Sequence, residues 1–159
     1  MYQQEIREFN ETVVQINRIS KKTKGGNQIR FGAVIVLGDK KGKVGMGISK
    51  AHDVRNAIRK AIEDAKKNMI VITMRGTTIP YSVISKIGAS KVLLKPAPPG
   101  SGIIAGGPMR VVLESSGLRD VVGKTLGGSS KIGSVRATIQ ALQMTSELKE
   151  KKEAMKKNG

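Results

Sequence analysis

The sequence predicts an α+β protein of two small domains, and three observations support this prediction. Residues 29–49 contain two β-forming runs, IRFGAVIVL and KVGMGIS, separated by the turn sequence DKKG. An amphipathic helix follows these runs directly. The remaining half of the chain repeats the mixture of apolar runs and helical patterns. A chain of 159 residues can form one domain or two small ones, and this arrangement favours two.

The first unit begins with two predicted strands and a basic loop between them. The β-branched run Val13–Ile16 predicts a short first strand that leads into the loop sequence KKTKGG, where the double glycine permits a turn with positive φ. The strand over residues 29–37 follows, and a hairpin turn at 39–42 connects it to the strand over 43–49. Glycines inside this third strand, GMG, indicate a bulge or the close approach of another backbone.

A helix completes the first unit. Asp53 is a good N-cap, and the helical spacing of apolar residues after it ends near Asn68. The predicted apolar face consists of Val54, Ala57, Ile58, Ala61, Ile62 and Ala65, and the other face carries Arg55, Arg59, Lys60, Lys66 and Lys67. The prediction is a βββα unit in which one helix covers one face of a small antiparallel sheet.

The second unit is predicted to start with an apolar strand over Met69–Met74. Further strands are predicted over Thr78–Ile84 and Lys91–Lys95. The sequence PAPPGSGIIAGGP comes next and fits neither the helical nor the strand period, so we expect an irregular loop. Its prolines and glycines interrupt any regular backbone ladder.

Two helices and a strand follow the irregular loop. Pro108 suits the first turn of a helix that Gly117 would end, and Asp120–Leu126 is a possible strand. Ser134 is predicted to cap a last helix whose inner face is Val135, Ile139 and Leu142. From Lys149 the chain is rich in Lys and Glu with few apolar residues, which predicts frayed helix or disorder.

The charge of the chain points to a polyanionic partner. It has 29 basic and 12 acidic residues, a net charge of +17 and a pI near 10.4. Residues 65–113 contain seven Lys or Arg and no acid, and residues 12–38 contain five and no acid. Self-repulsion of this kind destabilises a fold, so we expect nucleic acid to neutralise it, bound mainly through its phosphates. The alternative is an ordinary solvated basic surface.

Neither an enzyme nor a membrane protein is expected. GSGIIA, with Asp120 twenty residues after Gly100, imitates a dinucleotide fingerprint, but prolines precede it and Gly106-Gly107-Pro108 would break the required helix. With no cysteine and one histidine, we predict no catalytic residues, no metal, no cofactor and no small-molecule substrate. The sequence has no apolar run of roughly 18 residues and its first ten residues are not a secretory signal, so we expect a soluble, cytoplasmic protein.

The basic loop between Arg18 and Arg30 is the leading candidate for nucleic-acid binding. Its glycines let the backbone approach phosphates that the flanking lysines neutralise. The chain has only four aromatic residues, whereas binders of single strands use aromatic side chains to stack bases. Shape and backbone contacts to structured or double-stranded RNA fit better. The alternative is a flexible connection that happens to be basic. A phosphate at the start of the Pro108 helix, beside Arg110, is a further expectation.

Several segments resemble a known family. NRISKKTKGG, AVIVLGDKKGKVGMGISKA, DVRNAIRKAIEDAKKNM, GSGIIAGGPMRVVLESSG and VRATIQAL are similar, in this order, to the bacterial small-subunit ribosomal protein number five. The resemblance implies a double-stranded-RNA-binding-like βββα domain over residues 9–72 and a C-terminal α+β domain with a left-handed βαβ crossover over 73–147. Tails would then occupy residues 1–8 and 148–159.

The resemblance also implies a function. The family is a structural constituent of the cytoplasmic small ribosomal subunit, binds its rRNA at the head–body junction, contacts ribosomal proteins four and eight, and contributes to decoding accuracy close to the mRNA path. The rival interpretation is a free-standing double-stranded-RNA binder or RNA chaperone.

Two sets of site residues follow from the charge pattern and the resemblance together. The predicted RNA-binding residues are Arg18, Lys21, Lys22, Lys24, Gly25, Gly26, Arg30, Lys50, Arg55 and Arg110. The residues that the resemblance relates to spectinomycin resistance or decoding accuracy are Ile19, Ser20, Lys21, Gly102, Gly106, Gly107 and Arg110.

Overall fold

The computed structural model describes residues 9–128 and 130–158, so the predicted tail 1–8 lies outside the described residues. The described elements, in chain order, are β1 (Asn10–Thr23), β2 (Gly26–Gly38), β3 (Lys43–Ala51), α1 (Val54–Lys67), β4 (Ile70–Val71), β5 (Val83–Ile87), β6 (Ser90–Pro96), β7 (Ile103–Ile104), α2 (Gly107–Ser116), β8 (Val121–Thr125) and α3 (Lys131–Asn158). They form two four-stranded sheets, ordered β1-β2-β3-β4 and β5-β6-β8-β7. The predicted α+β class is therefore confirmed.

The first hairpin is much longer than predicted. β1 and β2 pair from Asn10 opposite Gly38 to Thr23 opposite Gly26, with a bulge near Val13. Only Lys24 and Gly25 lie in the turn, and the positive φ, 132°, is at Gly26. The predicted short strand and basic loop are thus wrong, because a two-residue turn lets the backbone ladder continue to the tip even through polar, basic residues.

The turn after β2 and the start of α1 follow the prediction. The Asp39 carboxylate accepts hydrogen bonds from the backbone N–H of Lys41 and Lys43, at 2.8 and 2.9 Å, which fixes the turn. The Asp53 carboxylate accepts from the backbone N–H of Asn56 at 3.2 Å, so the predicted N-cap is confirmed.

α1 lies very close to β3. Ala57, Ala61 and Ala65 form its buried stripe, and a Cβ placed on Gly47 would be only 1.8 Å from the carbonyl oxygen of Ala61. Glycine is therefore required at this position. The sequence analysis offered a bulge or the close approach of another backbone, and the structure shows the close approach.

Both faces of the first sheet are covered. Ile35 packs in the core beneath α1, whereas its neighbour Val36 belongs to the larger core formed with the second half of the chain. The 39–42 turn is tied to the end of α2, since the N–H of Lys40 donates to the carbonyl of Ser115 at 3.1 Å and that of Gly42 to Ser116 at 3.0 Å. An apolar run such as AVIVL is typical of a strand that is buried on both faces.

Two predicted strands of the second unit are wrong. In place of the strand over Met69–Met74, β4 has two residues and pairs with β3 in the first sheet. β5 begins at Val83 instead of Thr78, and Thr78 makes only an isolated bridge with Arg75. Side-chain bonding holds this segment instead: the Thr78 hydroxyl accepts from the N–H of Ala97 at 3.1 Å. Pro80, which lacks an N–H, cannot join a ladder as donor.

The first strand of a parallel βαβ unit, β7, lies inside the region predicted as an irregular loop. β7 pairs with β8 in parallel, Ile103 opposite Val121, and α2 connects them. α2 has Pro108 in its first turn and ends at Gly117, whose φ is 98°, so both predicted boundaries of this helix are confirmed. The left-handedness of the crossover remains a prediction.

The last helix begins earlier than predicted and continues through the end of the described chain. Ser134 is not the cap, because its own N–H already bonds the carbonyl of Ser130 at 2.9 Å, and the Ser130 hydroxyl accepts from the N–H of Gly133 at 3.3 Å. Val135 and Leu142 are fully buried and Ile139 is partly buried. The helix continues to Asn158, so the part predicted as frayed helix or disorder is helical in the structure. No helix among the described residues is long and apolar enough to cross a membrane.

Candidate nucleic-acid interface

The distal half of the first hairpin, residues 16–31, is named the hairpin arm. It carries Arg18, Lys21, Lys22, Lys24 and Arg30 and contains no acidic residue. Every side chain described in the arm is exposed except Ile19 and Phe31, which are half-buried. The arm is a two-stranded ribbon whose backbone can meet a ligand from either side.

The cations of the arm lie on two opposite faces. Directly paired residues of an antiparallel ladder point to the same face, and Arg18 pairs with Phe31, which packs against the core beneath α1. Arg18 and Lys22, four residues apart, therefore share the α1 side. Arg30 lies one residue before Phe31 and points to the other side. A ribbon with cations on both faces can contact phosphates on both of its sides.

Lys50 joins the second of these faces. It pairs with Gly32 in the sheet, and a Cβ placed on Gly32 would lie 3.7 Å from Cδ1 of Ile19 and 3.9 Å from Cγ of Lys50. The Ile19 and Lys50 side chains therefore meet over Gly32. Arg55, exposed in the first turn of α1, follows Lys50 by five residues. The structure thus places Lys50, a predicted RNA-binding residue outside the hairpin, at the base of the arm, whereas Arg55 belongs to α1, which covers the opposite face of the sheet.

A buried carboxylate organises the predicted irregular loop. Asp120 is 4% exposed, and its Oδ1 accepts hydrogen bonds from the N–H groups of Gly100 at 3.0 Å and Gly102 at 2.9 Å. Its Oδ2 accepts from the Thr77 hydroxyl. The two glycines have φ values of 92° and 76°, a conformation that suits residues without a Cβ. We name residues 97–106 the glycine loop and these three bonds the Asp120 clasp.

The clasp changes the acidity of Asp120. The Thr77 hydroxyl and the N–H of Gly102 favour the charged carboxylate and lower the pKa of Asp120 below its ordinary value; the Gly100 N–H and the charge of Arg119 act in the same direction. Burial opposes them. Gly100 and Asp120, whose spacing imitates a dinucleotide fingerprint, are therefore the two ends of a hydrogen bond that closes the loop. The sequence analysis did not predict this role of Asp120.

The glycines at the start of α2 are open to the surroundings. The glycines and the loop before α2 were expected to let the backbone pack closely against RNA or the neighbouring sheet. A Cβ on Gly106 or on Gly107 would meet nothing within 4 Å, so they do not pack against the sheet. Gly106 is the N-cap and makes no side-chain capping bond, which leaves the first N–H groups of α2 accessible.

Arg110 has a partner that the sequence analysis did not foresee. Its Nε donates to Oε1 of Glu114 at 2.9 Å, one helical turn away, and the two side chains are 57% and 53% exposed. They line a cleft of about 460 Å³ that also contains Lys40, Ile103, Gly117, Leu118 and Arg119. The surroundings of Arg110 are thus of mixed charge, with basic side chains in excess.

The groups that these surfaces present are suited to binding anions. In the part of the chain that the structure describes, no group of three or more His, Cys, Asp or Glu side chains is placed to hold a metal ion. The arm, the glycine loop and the start of α2 offer cations, backbone N–H groups and glycines without close neighbours. Such groups bind phosphates by charge and by close approach of the backbone.

The architecture and the surface together define a class: a small, strongly basic α+β protein with two sheets and a projecting cationic ribbon. Comparison with family models gives the family. The description "Ribosomal protein S5, N-terminal domain" matches residues 9–73, and "Ribosomal protein S5, C-terminal domain" matches residues 85–155. The chain belongs to the ribosomal protein S5 family, RNA-binding proteins of the small ribosomal subunit that act in translation.

Proposed function

We propose that this protein binds small-subunit rRNA at the head–body junction and that the hairpin arm is its principal RNA-contacting element. One observation supports this most strongly: the arm holds five basic residues and no acid, and its cations point to both faces of the ribbon. A compact body touches RNA on one side, whereas a ribbon of this kind can be inserted between two RNA segments and neutralise phosphates of both.

The mode of binding is backbone and shape recognition. The described part of the arm contains one aromatic residue, Phe31, and it is half-buried against the core beneath α1. Stacking on splayed bases therefore cannot be the main source of affinity. The main source of affinity is instead contact with the phosphates of a folded RNA, made by Arg18, Lys22, Lys24, Arg30 and Lys50. Arg55 extends this surface onto α1.

The glycine loop and the cleft beside it serve decoding accuracy in this proposal. The Asp120 clasp fixes the loop, and the open Gly106 and Gly107 leave room for a close neighbour. The mixed charge around Arg110 and Glu114 suits a protein partner as well as RNA. Following the family resemblance, the neighbours would be ribosomal proteins four and eight, with mRNA close by, in the cytoplasmic ribosome. The protein would act there as a structural component rather than as an enzyme.

Salt dependence tests the binding mode. If about six phosphates are neutralised, affinity for folded small-subunit rRNA falls roughly a thousandfold between about 50 and 200 mM salt. A nearly flat plot of log affinity against log salt contradicts the proposal.

Co-sedimentation tests the location. The proposal predicts that the protein stays with the small subunit through moderate-salt gradients. A free-standing RNA binder or chaperone would instead be released into the soluble fraction, and that result would favour the alternative function. The C-terminal match over 85–155 disfavours this alternative, because a free-standing binder would need only the first domain.

A further inference from the structure

The end of α3 forms a second basic surface, which we name the C-terminal cleft. It has a volume of about 290 Å³ and is lined by Arg75, Pro80, Tyr81, Lys149, Lys152, Glu153 and Lys156. Four of these seven residues are cationic and one is acidic. The cleft lies on the second half of the chain and shares no residue with the hairpin arm or the glycine loop.

The lysines of the cleft share one side of the helix. Lys149, Lys152 and Lys156 follow one another at spacings of three and four residues, which places them on the same helical face. Arg75 belongs to the segment before β5 that lies opposite them. Positive charge therefore comes from both walls of the cleft, and not only from a solvated helix surface.

One contact attaches the end of the helix to the body. Nζ of Lys152 lies 4.0 Å from the centroid of the Tyr81 ring, a cation–π arrangement. Tyr81 is half-buried and follows the buried Pro80, so the position of its ring is restricted by its surroundings. The contact joins this part of the helix to the segment that carries Arg75.

Within the part of the chain that the structure describes, Arg75, Lys149, Lys152 and Lys156 form no ion pair within 4.0 Å. Gathering four cations beside the single carboxylate of Glu153 is unfavourable for the isolated protein, and the phosphates of an RNA backbone match this charge. An acidic protein is the other class of polyanion, but the protein acts in an RNA-rich particle, where backbone phosphate is the abundant anion.

We propose that the C-terminal cleft is a second RNA-backbone site, in which the Tyr81–Lys152 contact positions the helix and Lys149, Lys152, Lys156 and Arg75 bind phosphates. This inference rests on the proposed rRNA binding and adds to it a separate contact made by the second half of the chain. The protein would then bind its RNA at two separate surfaces, the hairpin arm and the C-terminal cleft.

Matched charge variants test the site. The cleft variant is Lys149→Gln/Lys152→Gln/Lys156→Gln, and its control, Lys60→Gln/Lys67→Gln/Lys151→Gln, removes the same charge from exposed lysines outside the cleft. Full-length protein is titrated with folded small-subunit rRNA, and log affinity is plotted against log salt. The negative slope should become shallower by about two to three for the cleft variant and by less than about one for the control. Equal losses in both variants would overturn the proposal.

The role of Tyr81 has its own readout. Tyr81→Phe keeps the ring and should bind RNA as the wild type does, whereas Tyr81→Leu keeps an apolar side chain but removes the cation–π contact. We expect Tyr81→Leu to weaken RNA binding several-fold and to increase amide exchange in the last turns of α3. Wild-type affinity and exchange in Tyr81→Leu would show that the ring does not position the helix.

Tethered cleavage distinguishes RNA from a protein partner. Because the chain has no cysteine, Met155→Cys, at a side chain that is 75% exposed beside the cleft, can carry an iron chelate into the assembled small subunit. Local hydroxyl radicals should cut rRNA near this position more strongly than from Ile84→Cys, a control on β5. Absence of rRNA cuts above the control would overturn the site.

The failures of the two proposals can be told apart. If the wild type shows a steep salt slope that arm substitutions reduce and cleft substitutions do not, the C-terminal cleft is refuted and the arm is supported. If the wild type itself shows a flat slope, rRNA binding through phosphates is refuted, and the cleft proposal falls with it.

Discussion

The hairpin arm and the glycine loop are both surface segments rich in glycine, yet they are built in opposite ways. The arm exposes nearly all of its described side chains and carries five cations without an acid. The glycine loop is closed from within by the clasp of Asp120, a residue that is 4% exposed. The arm can therefore bind through charge that tolerates small movements, whereas the loop depends on a fixed backbone shape. A substitution should affect affinity in the first region and conformation in the second.

The largest effect is expected from the charge of the arm. Lys21→Ala/Lys22→Ala/Lys24→Ala removes three cations from the hairpin, so affinity for folded small-subunit rRNA near 0.1 M salt should fall by about a hundredfold or more. The control Lys60→Ala/Lys67→Ala/Lys151→Ala removes the same charge elsewhere and should reduce affinity much less. Circular dichroism should match the wild type in both variants. Similar reductions of affinity would mean that only net charge matters.

The second largest effect is expected from the clasp. Asp120→Ala leaves the N–H groups of Gly100 and Gly102 and the Thr77 hydroxyl without their acceptor. Partly buried donors that lose their acceptor are unfavourable, so Tm should fall and amide exchange should rise at both glycines. Thr77→Val removes one donor and keeps the two bonds from the glycines, so it should lower Tm less. An unchanged Tm in Asp120→Ala would show that the loop holds its shape without the clasp.

The pH dependence of the clasp has a definite sign. The pKa of Asp120 is lowered in the folded protein, so the charged carboxylate stabilises the fold at pH values above its unfolded pKa. This contribution is lost as the pH falls through the folded pKa. The difference in Tm between the wild type and Asp120→Asn should therefore be largest near neutral pH and shrink below about pH 4. A difference that is independent of pH would contradict the assigned cause.

Arg110 tests whether the cleft beside the glycine loop behaves like the arm. Its pair with Glu114 is exposed and contributes about 0–1 kcal/mol to stability, so Arg110→Glu should fold with nearly unchanged Tm. If Arg110 meets an anion in the ribosome, reversal should cost about 2–5 kcal/mol or more there. Altered misreading and looser head–body coupling are the expected outcomes.

A paired substitution separates the two roles of Arg110. Arg110→Glu/Glu114→Arg restores an ion pair within α2 but places the positive charge one turn later. If the double variant still misreads, Arg110 contacts a neighbour in the ribosome. Normal assembly and unchanged accuracy in Arg110→Glu alone would make Arg110 an ordinary surface residue.

The smallest effect on folding is expected at Gly107. A Cβ there meets nothing within 4 Å, and the residue lies in the first turn of α2. Gly107→Ala should therefore leave the isolated protein as stable or up to about 1 kcal/mol more stable, since alanine favours helix more than glycine does. A loss of accuracy or assembly together with unchanged Tm would indicate a close RNA neighbour. Normal function would show that this space is empty in the ribosome as well.

The sequence predicted most elements of this fold because they depend on local patterns. The α1 cap, the helix between Pro108 and Gly117, and the close glycine at position 47 all follow from rules about neighbouring residues. The length of the first hairpin could not be predicted in this way, because its strands carry polar residues on both faces near the tip. No hydrophobic period marks such a ribbon.

Interactions between distant residues account for the other differences. The Asp120 clasp joins residues 18 and 20 positions apart through backbone N–H groups, which have no sequence signature beyond the glycines themselves. The end of the C-terminal helix contacts Tyr81, which lies 71 positions before Lys152. Of the candidate site, the cations were found from the sequence alone, whereas the arm that presents them and the clasp that shapes the loop required the structure.

The central claim is that the arm binds RNA through charge while the glycine loop is held by shape, and one measurement tests it most directly. The slope of log affinity against log salt is determined on the same folded small-subunit rRNA for the wild type, Lys21→Ala/Lys22→Ala/Lys24→Ala and Asp120→Ala. We predict that the negative slope becomes shallower by about one unit for each phosphate that the arm variant no longer neutralises. In Asp120→Ala it should stay at the wild-type value. An unchanged slope in the arm variant, or an equal change in Asp120→Ala, would contradict the account.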